Sequence, residues 1–162
     1  MAIPRSIERF LGDQHVAYAV VPHRPAYTAQ EEAALAHVSG RQWAKTVACI
    51  ADGRPVLAVV PASSFVDLDR LCELAGAREI RLAREREFEP LYPDCELGAM
   101  PPLGPLYGQR VFVDQHLSRM DAIVFDAGTH SEAIKLSYDD FARLVQPTIG
   151  DFGVTPRAEV ES

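Results

Sequence analysis

Lysine is nearly absent from this chain: only Lys45 and Lys135 are lysines, and the other basic residues are arginine. Each lysine therefore carries more information than usual. Cysteine is also sparse. Cys49, Cys72 and Cys95 form no C-x-x-C pair, which excludes the sequence signals of a zinc ribbon and of a thioredoxin-like redox site. An odd count fits buried or free thiols better than a disulfide framework. No stretch approaches the roughly 18 consecutive apolar residues of a membrane span. The first residues, Met1 to Ser6, lack the basic flank and apolar run of a secretory signal. A cytoplasmic protein with no membrane partner is expected. The chain has no G-x-S-x-G elbow, H-E-x-x-H, Walker A or G-x-G-x-x-G motif. His15, His23, His37, His116 and His130 show no metal-ligand spacing. Chemistry without a metal, a cofactor or a serine triad is the expectation.

With 162 residues, 48% hydrophobic and 24% charged, the chain has the size and composition of one soluble domain with a real core. Its net charge of −7 argues against broad, nonspecific nucleic-acid binding, which rests on neutralising many phosphates. Any nucleic-acid contact should be confined to a small patch. The arginines at 78, 81, 84 and 86 are candidates, but Glu79, Glu85 and Glu87 interleave with them, as on a solvated mixed-charge surface.

Residues 4–12 read as a short helix with Ile7, Phe10 and Leu11 on one face. Val16 to Val21 reads as a strand ending at Pro22. Thr28-Ala-Gln-Glu31 is a capping-box pattern opening a helix through about Val38, closed by Gly40. Trp43 to Ala51 and Pro55 to Val60 are strands around the hairpin signal Asp52-Gly53. Asp67 caps a helix through Ala75, and Gly76 stops it. Arg78 to Leu82 reads as a strand, and Arg84 to Glu89 as a short helix halted by Pro90. A turn-rich segment follows from Tyr92 to Gly108. Strands are expected at Arg110–Asp114, Ala122–Asp126 and Ala133–Leu136, then a helix from the Ser137 cap to Val145. Strand-to-strand connections outnumber helical crossovers. That order predicts an α/β chain of the α+β type, with a mixed, mainly antiparallel sheet surrounded by helices. Residues 1–149 form one domain in this reading, and 150–162 a mobile tail.

Three segments carry candidate chemistry. In Trp43-Ala-Lys45-Thr46-Val-Ala-Cys-Ile a lysine interrupts an apolar run. Either Lys45 points to solvent from an edge strand, or the strand is covered and the cation needs a partner, such as a ligand phosphate or carbonyl. In Gly98-Ala99-Met100-Pro101-Pro102-Leu-Gly104 the prolines stiffen an extended loop. It is a rigid connector, or a pocket wall whose Ala99 and Met100 amides donate to a ligand. In Asp126-Ala-Gly128-Thr129-His130 a glycine turn presents Thr129 and His130 at a strand end. That histidine is structural unless it converges on Lys45.

Together with His23…Tyr27-Thr28-Ala-Gln-Glu31 and Val59-Val60-Pro61, these segments resemble the YbaK/ProX family of prolyl-tRNA-synthetase-associated editing domains. The resemblance spans roughly Arg5 to Pro147. It implies a trans-acting deacylase that hydrolyses the ester of mischarged tRNA, a smaller amino acid on tRNA for proline or a related tRNA. It places the family lysine at Lys45, the Gly-x-x-x-Pro loop at Gly98 to Pro102 and the Gly-x-His segment at Gly128 to His130. On this basis Lys45 and His130 are the expected catalytic residues. Tyr27, Thr28, Thr46, Gly98, Ala99, Met100, Pro101, Pro102, Gly128 and Thr129 are expected around the substrate, with no metal. Thr46 departs from the asparagine that often follows the lysine in alanine-specific members. The implied partners are the acceptor end of mischarged tRNA and an aminoacyl-tRNA synthetase. Two other readings remain open: a catalytically silent aminoacyl-tRNA or nucleotide-binding module that docks on a synthetase, and a small-molecule esterase built on Cys49.

Overall fold

The computed structural model describes residues 2–26 and 28–156. The elements run α1 (Arg5–Asp13), β1 (Ala19–Pro22), α2 (Ala29–Leu35), β2 (Ala44–Ala51), β3 (Arg54–Pro61), β4 (Phe65–Val66), α3 (Leu68–Ala75), β5 (Ile80–Leu82) and α4 (Glu85–Phe88). After a 3-10 turn at Glu89–Leu91 come α5 (Gly104–Tyr107), β6 (Arg110–Asp114), α6 (Gln115–Ser118), β7 (Ala122–Asp126), β8 (Glu132–Ser137), α7 (Tyr138–Val145), β9 (Thr148–Gly150) and β10 (Gly153–Val154).

Local chemistry fixes many of these boundaries. Thr28 accepts from the Glu31 amide while the Glu31 carboxylate accepts from the Thr28 amide, completing the capping box of α2. Asp67 caps α3, and Gly76 ends it with a left-handed φ of 66°. Ser137 caps α7 by accepting from the Asp140 amide. At the β2–β3 hairpin Asp52 and Gly53 both take positive φ, 49° and 83°, as a two-residue turn between twisted strands requires. The Asp52 carboxylate also accepts from the Arg78 and Glu79 amides, which ties the hairpin to the approach of β5.

Five strands form the main sheet in the order β5-β2-β3-β6-β9, and β1-β8-β7 form a second. Pairing is antiparallel throughout except for β3 with β6 and β6 with β9. The mixed, mainly antiparallel architecture expected from the element order is the observed one. A bridge between Trp43 and Val124 joins the two sheets. Central β3 is buried on both faces, which explains its unbroken apolar run. Leu57 and Val59 pack with α1, α7 and the second sheet, through Ile7, Phe141 and Phe125 among others. Val56, Ala58 and Val60 pack with Leu71 of α3, Phe112 and Phe152.

The mobile tail expected from Gly150 onward is corrected for residues 150–154. Phe152 is fully buried, β9 extends the main sheet, and β10 pairs with β4. The buried Asp114 carboxylate accepts from the Phe152 and Gly153 amides, and the Phe152 carbonyl accepts from the Asp67 amide. These partners lie some 40 to 85 residues away in sequence, so no local periodicity announces the segment. Residues 157–162 lie outside the described residues. The short helices α5 and α6 were also missed, inside a turn-rich segment and between two strands.

Candidate active site

The placement of Lys45 follows from strand pairing. β5 pairs with β2 only at Cys49, Ile50 and Ala51, and the Ala83 amide donates to the Ala48 carbonyl. Beyond that point no described strand covers this edge of β2. A cleft of about 1060 Å³ lies there, lined by Lys45, Thr46 and Val47 together. The volume is at the upper end of the ~300–1,000 Å³ typical of small-ligand sites. The two alternatives for Lys45 therefore both fall short: β2 is an interior strand over its second half and an edge strand over its first.

Lys45 is half-buried, and its Nζ donates to the Ser64 carbonyl at 2.6 Å. It also lies 4.9 Å from the centre of the Phe65 ring. Burial lowers its pKa. No carboxylate among the described residues lies within ion-pair distance of it. A carbonyl and an aromatic face steady the cation, but neither neutralises it. Among the described residues, Lys45 is the one lysine or arginine lining the cleft, so an anionic group entering there finds a cation with no acidic partner.

A buried cluster from four elements forms the opposite side. His130 Nε2–H donates to the Leu97 carbonyl at 2.7 Å, and Nδ1 faces Glu32 Oε2 at 3.1 Å and Asp126 Oδ2 at 3.5 Å. His23 Nδ1–H donates to the Arg24 carbonyl at 2.9 Å, leaving Nε2 against Asp126 Oδ1 at 3.2 Å. The Trp43 and His23 rings pack near-perpendicular, 5.3 Å between centroids. Burial raises the Asp126 pKa strongly, and the neighbouring Glu32 carboxylate raises it further. Asp126 is therefore held as the neutral acid, able to donate to His23 Nε2. Burial alone would lower His130, but the Leu97 carbonyl and the Glu32 carboxylate outweigh it and the pKa is raised. The raised pKa favours the protonated ring, with Nδ1 facing the Glu32 carboxylate.

His130 is also a strut for the glycine-proline loop. Its amide donates to Glu96 Oε1 at 2.7 Å, and its ring holds the Leu97 carbonyl. The Glu96 amide donates to the Gly128 carbonyl, and the Gly128 amide to the Ala99 carbonyl. This stitching fixes Leu97, Gly98 and Met100 as one wall of the cleft. Gly98 has φ +82°, a conformation that L side chains rarely adopt.

The structure thus brings Lys45, Thr46, Thr28, Gly98, Met100 and His130 to one cleft. Thr28 spends its hydroxyl on the Glu31 cap. Thr46 has no hydrogen-bond partner for its hydroxyl among the described residues. The remaining expectations need correction. Ala99, Pro101, Pro102, Gly128 and Thr129 do not line the cleft; they are buried behind its wall. The Ala99 amide is not free, since it donates to the Glu96 carbonyl. Gly128 serves a close approach instead: a Cβ there would come within 2.6 Å of Pro4. Thr129 hydrogen-bonds Ser131. Tyr27 lies outside the described residues. His130, with both ring nitrogens committed to protein groups, does not hold a water through its ring in this arrangement.

Sequence reasoning quoted His23 and Asp126 within motif segments but gave them no role and did not single out Glu32; the three meet across sequence separations of up to 103 residues. The available signal was an acid closing the apolar strand Ala122 to Asp126, and another on the alanine-rich face of α2. It also missed Phe65, Thr155 and Pro156 on the cleft. His23, Glu32 and Asp126 each offer a ligand atom within 4.8 Å of the others, a set able to hold a metal ion that no sequence spacing reveals. Hydrogen bonds account for its short contacts. Cys49 is fully buried and its thiol is pushed up to about 11 by burial, the opposite of an activated nucleophile. Arg81 is held by a two-pronged pair with Glu87, so the arginine-rich stretch is an exposed mixed-charge surface.

Comparison with known proteins gives these residues a context. Residues 23–144 match the aminoacyl-tRNA editing domain family. The chain is 27% identical over 147 residues to the multifunctional Ser/Thr-tRNA deacylase ProXp-y of Escherichia coli K12, covering 88% of this chain and 87% of that protein. It is 32% identical over 127 residues to a proline–tRNA ligase of Nitratidesulfovibrio vulgaris, covering 76% of this chain but 22% of the ligase. The crystal structure of a candidate trans-editing enzyme for prolyl-tRNA synthetase superposes with a TM-score of 0.75 at 20% identity, covering 93% and 98% of the two chains, and so shares the fold. With the family matched from His23 through the helix α7, the chain belongs to the aminoacyl-tRNA editing domain family.

Proposed function

We propose that this chain acts in trans on the acceptor end of tRNA carrying a wrong small amino acid, and hydrolyses its ester without a metal ion or a covalent intermediate. The observation that carries the proposal is Lys45, a half-buried cation with no anionic partner on the open edge of β2. An aminoacyl ester is already electrophilic, because its α-ammonium group withdraws electrons. Stabilising the oxyanion and placing a water supply the rest of the acceleration, several kcal/mol for each effect. Water attacks the carbonyl carbon, the carbonyl oxygen becomes the oxyanion, and the 3′ oxygen of the terminal ribose leaves with a proton. Lys45 Nζ serves the oxyanion or the terminal phosphate.

Neither the His130 ring nor the Cys49 thiol fits the role of general base. His130 has both ring nitrogens engaged, and Cys49 is buried with its thiol pushed up to about 11. The vicinal ribose hydroxyl of the substrate takes that part. His130, Glu32 and Asp126 support the Gly98 wall, which limits the side chain that enters. Thr46, beside Lys45 with its hydroxyl unengaged, suits seryl and threonyl esters better than alanyl. The relative named a Ser/Thr-tRNA deacylase supports that choice. The address is cytoplasmic, where charged tRNA is found; no described helix is long and apolar enough to cross a membrane. A synthetase partner offsets the weak tRNA affinity that a net charge of −7 implies.

Deacylation of a panel of mischarged tRNAs in EDTA tests the proposal. Release of seryl or threonyl groups at the same rate with and without chelator is expected. Activity lost in EDTA and restored by zinc would move the chemistry to the His23–Glu32–Asp126 set, and no deacylation of any tRNA would favour a silent binding module.

A further inference from the structure

Among the described residues, Trp43, Phe65 and Phe88 line the cleft alongside the His130 ring, and they differ sharply in exposure. Trp43 is 1% exposed and locked against His23, and Phe88 is partly buried in the core. Phe65 is 60% exposed. It is not a loose surface residue, because β4 pairs with β10 in a fixed register, Phe65 opposite Val154. The preceding residue, Ser64, accepts the Lys45 ammonium on its carbonyl, and the same ammonium lies over the Phe65 ring. An aromatic ring carried on a paired strand therefore stands at the cleft with a cation beside it and much of its surface open.

That pairing matches a nucleotide. A base stacks on an aromatic face whatever its sequence, and its phosphate, one ribose away, finds a cation close by. We infer that Phe65 is the platform on which the terminal adenine of the tRNA stacks, with Lys45 on the phosphate side of the same nucleotide. The inference rests on the proposed function and specifies which part of the substrate the Phe65–Lys45 corner receives. The ester then extends along β2 toward Thr46 and the Gly98 wall. The cleft volume of about 1060 Å³ accommodates an aminoacyl-adenosine. Stacking supplies affinity without many phosphate contacts, as an acidic chain acting on tRNA requires. Leu82 and Leu97, also exposed at the cleft, offer apolar contact but no aromatic face.

The test is single-turnover deacylation of seryl-tRNA at increasing enzyme concentration, for wild type, Phe65→Ala, Phe65→Leu and Phe65→Trp, with AMP as a competitor. Phe65→Ala and Phe65→Leu are expected to raise the half-saturating concentration about tenfold and weaken AMP inhibition similarly, with the saturated rate within about twofold of wild type. Phe65→Trp is expected to restore or improve on the wild-type value. Unchanged half-saturation in Phe65→Ala overturns the inference while leaving the deacylase reading intact. So does a fall in the saturated rate alone, which would mean that Phe65 acts only by placing Lys45. If wild type deacylates no tRNA, the proposed function itself fails, a result distinct from either.

Discussion

Lys45 and Asp126 hold opposite positions in the chemistry of burial. Lys45 keeps a cation that no described acid neutralises, whereas Asp126 gives up its charge by keeping a proton. The second statement has a measurable sign. A carboxyl whose folded pKa is raised binds a proton on folding, so it lowers stability as pH rises from about 4, the unfolded value, toward the folded one. His130, also raised, adds a slope in the same direction above about 6.5. Asp126→Asn keeps the shape and can donate its amide to His23 Nε2 while accepting from His130, with no proton to hold. Its stability relative to wild type is therefore expected to rise steadily with pH between about 5 and 9. Denaturant melts across that range check this; a constant difference would mean that Asp126 is ionised in the fold. At Thr46 the expectation concerns selectivity. Thr46→Val should reduce seryl and threonyl deacylation about tenfold relative to alanyl, as loss of a polar contact does. An unchanged ranking in single-turnover assays would remove Thr46 from the amino-acid site.

At the scale of elements, the C-terminal segment is part of the core. Phe152 is fully buried under α3, and its amide and that of Gly153 donate to the Asp114 carboxylate. Phe152→Ala should cost about 3–5 kcal/mol, a range typical for a buried phenylalanine, read as a lowered urea midpoint. A loss below about 0.5 kcal/mol, as at an exposed position, would return the segment to a tail. The contrast with other elements explains what the sequence made legible. The β2–β3 turn at Asp52-Gly53, the Asp67 cap with its Gly76 stop, and the Ser137 cap are written within a few residues of one another, so reading them needed no tertiary knowledge. β4, β9 and β10 are two or three residues long: β9 exists because β6 pairs with it, β10 because Asp114 holds its start, and β4 because β10 pairs with it. The cleft splits in the same way. Lys45 was conspicuous as a lone cation in an apolar strand. Its half-edge environment depends on where β5 stops, and the His23–Glu32–Asp126–His130 cluster on the meeting of α2, β7 and two loops.

For the whole molecule the governing quantity is charge. With a net −7 and Lys45 as the one lysine among the described residues of the cleft, contact with tRNA is expected to be confined to its end. A slope of log K against log salt no steeper than about −3 is expected, corresponding to a few phosphates. A slope of −6 or steeper, measured by fluorescence titration, would show a broad basic interface that the surface does not offer. The central claim is that the Lys45 cleft performs the hydrolysis expected of this family. Its most direct test is single-turnover deacylation of seryl- and threonyl-tRNA by wild type and Lys45→Ala, with circular dichroism confirming that both are folded. Wild type is expected to exceed spontaneous hydrolysis by at least about 100-fold, and Lys45→Ala to lose most of that gain, as when a group that holds the terminal phosphate or the oxyanion is removed. A folded Lys45→Ala variant that deacylates at the wild-type rate would contradict the account.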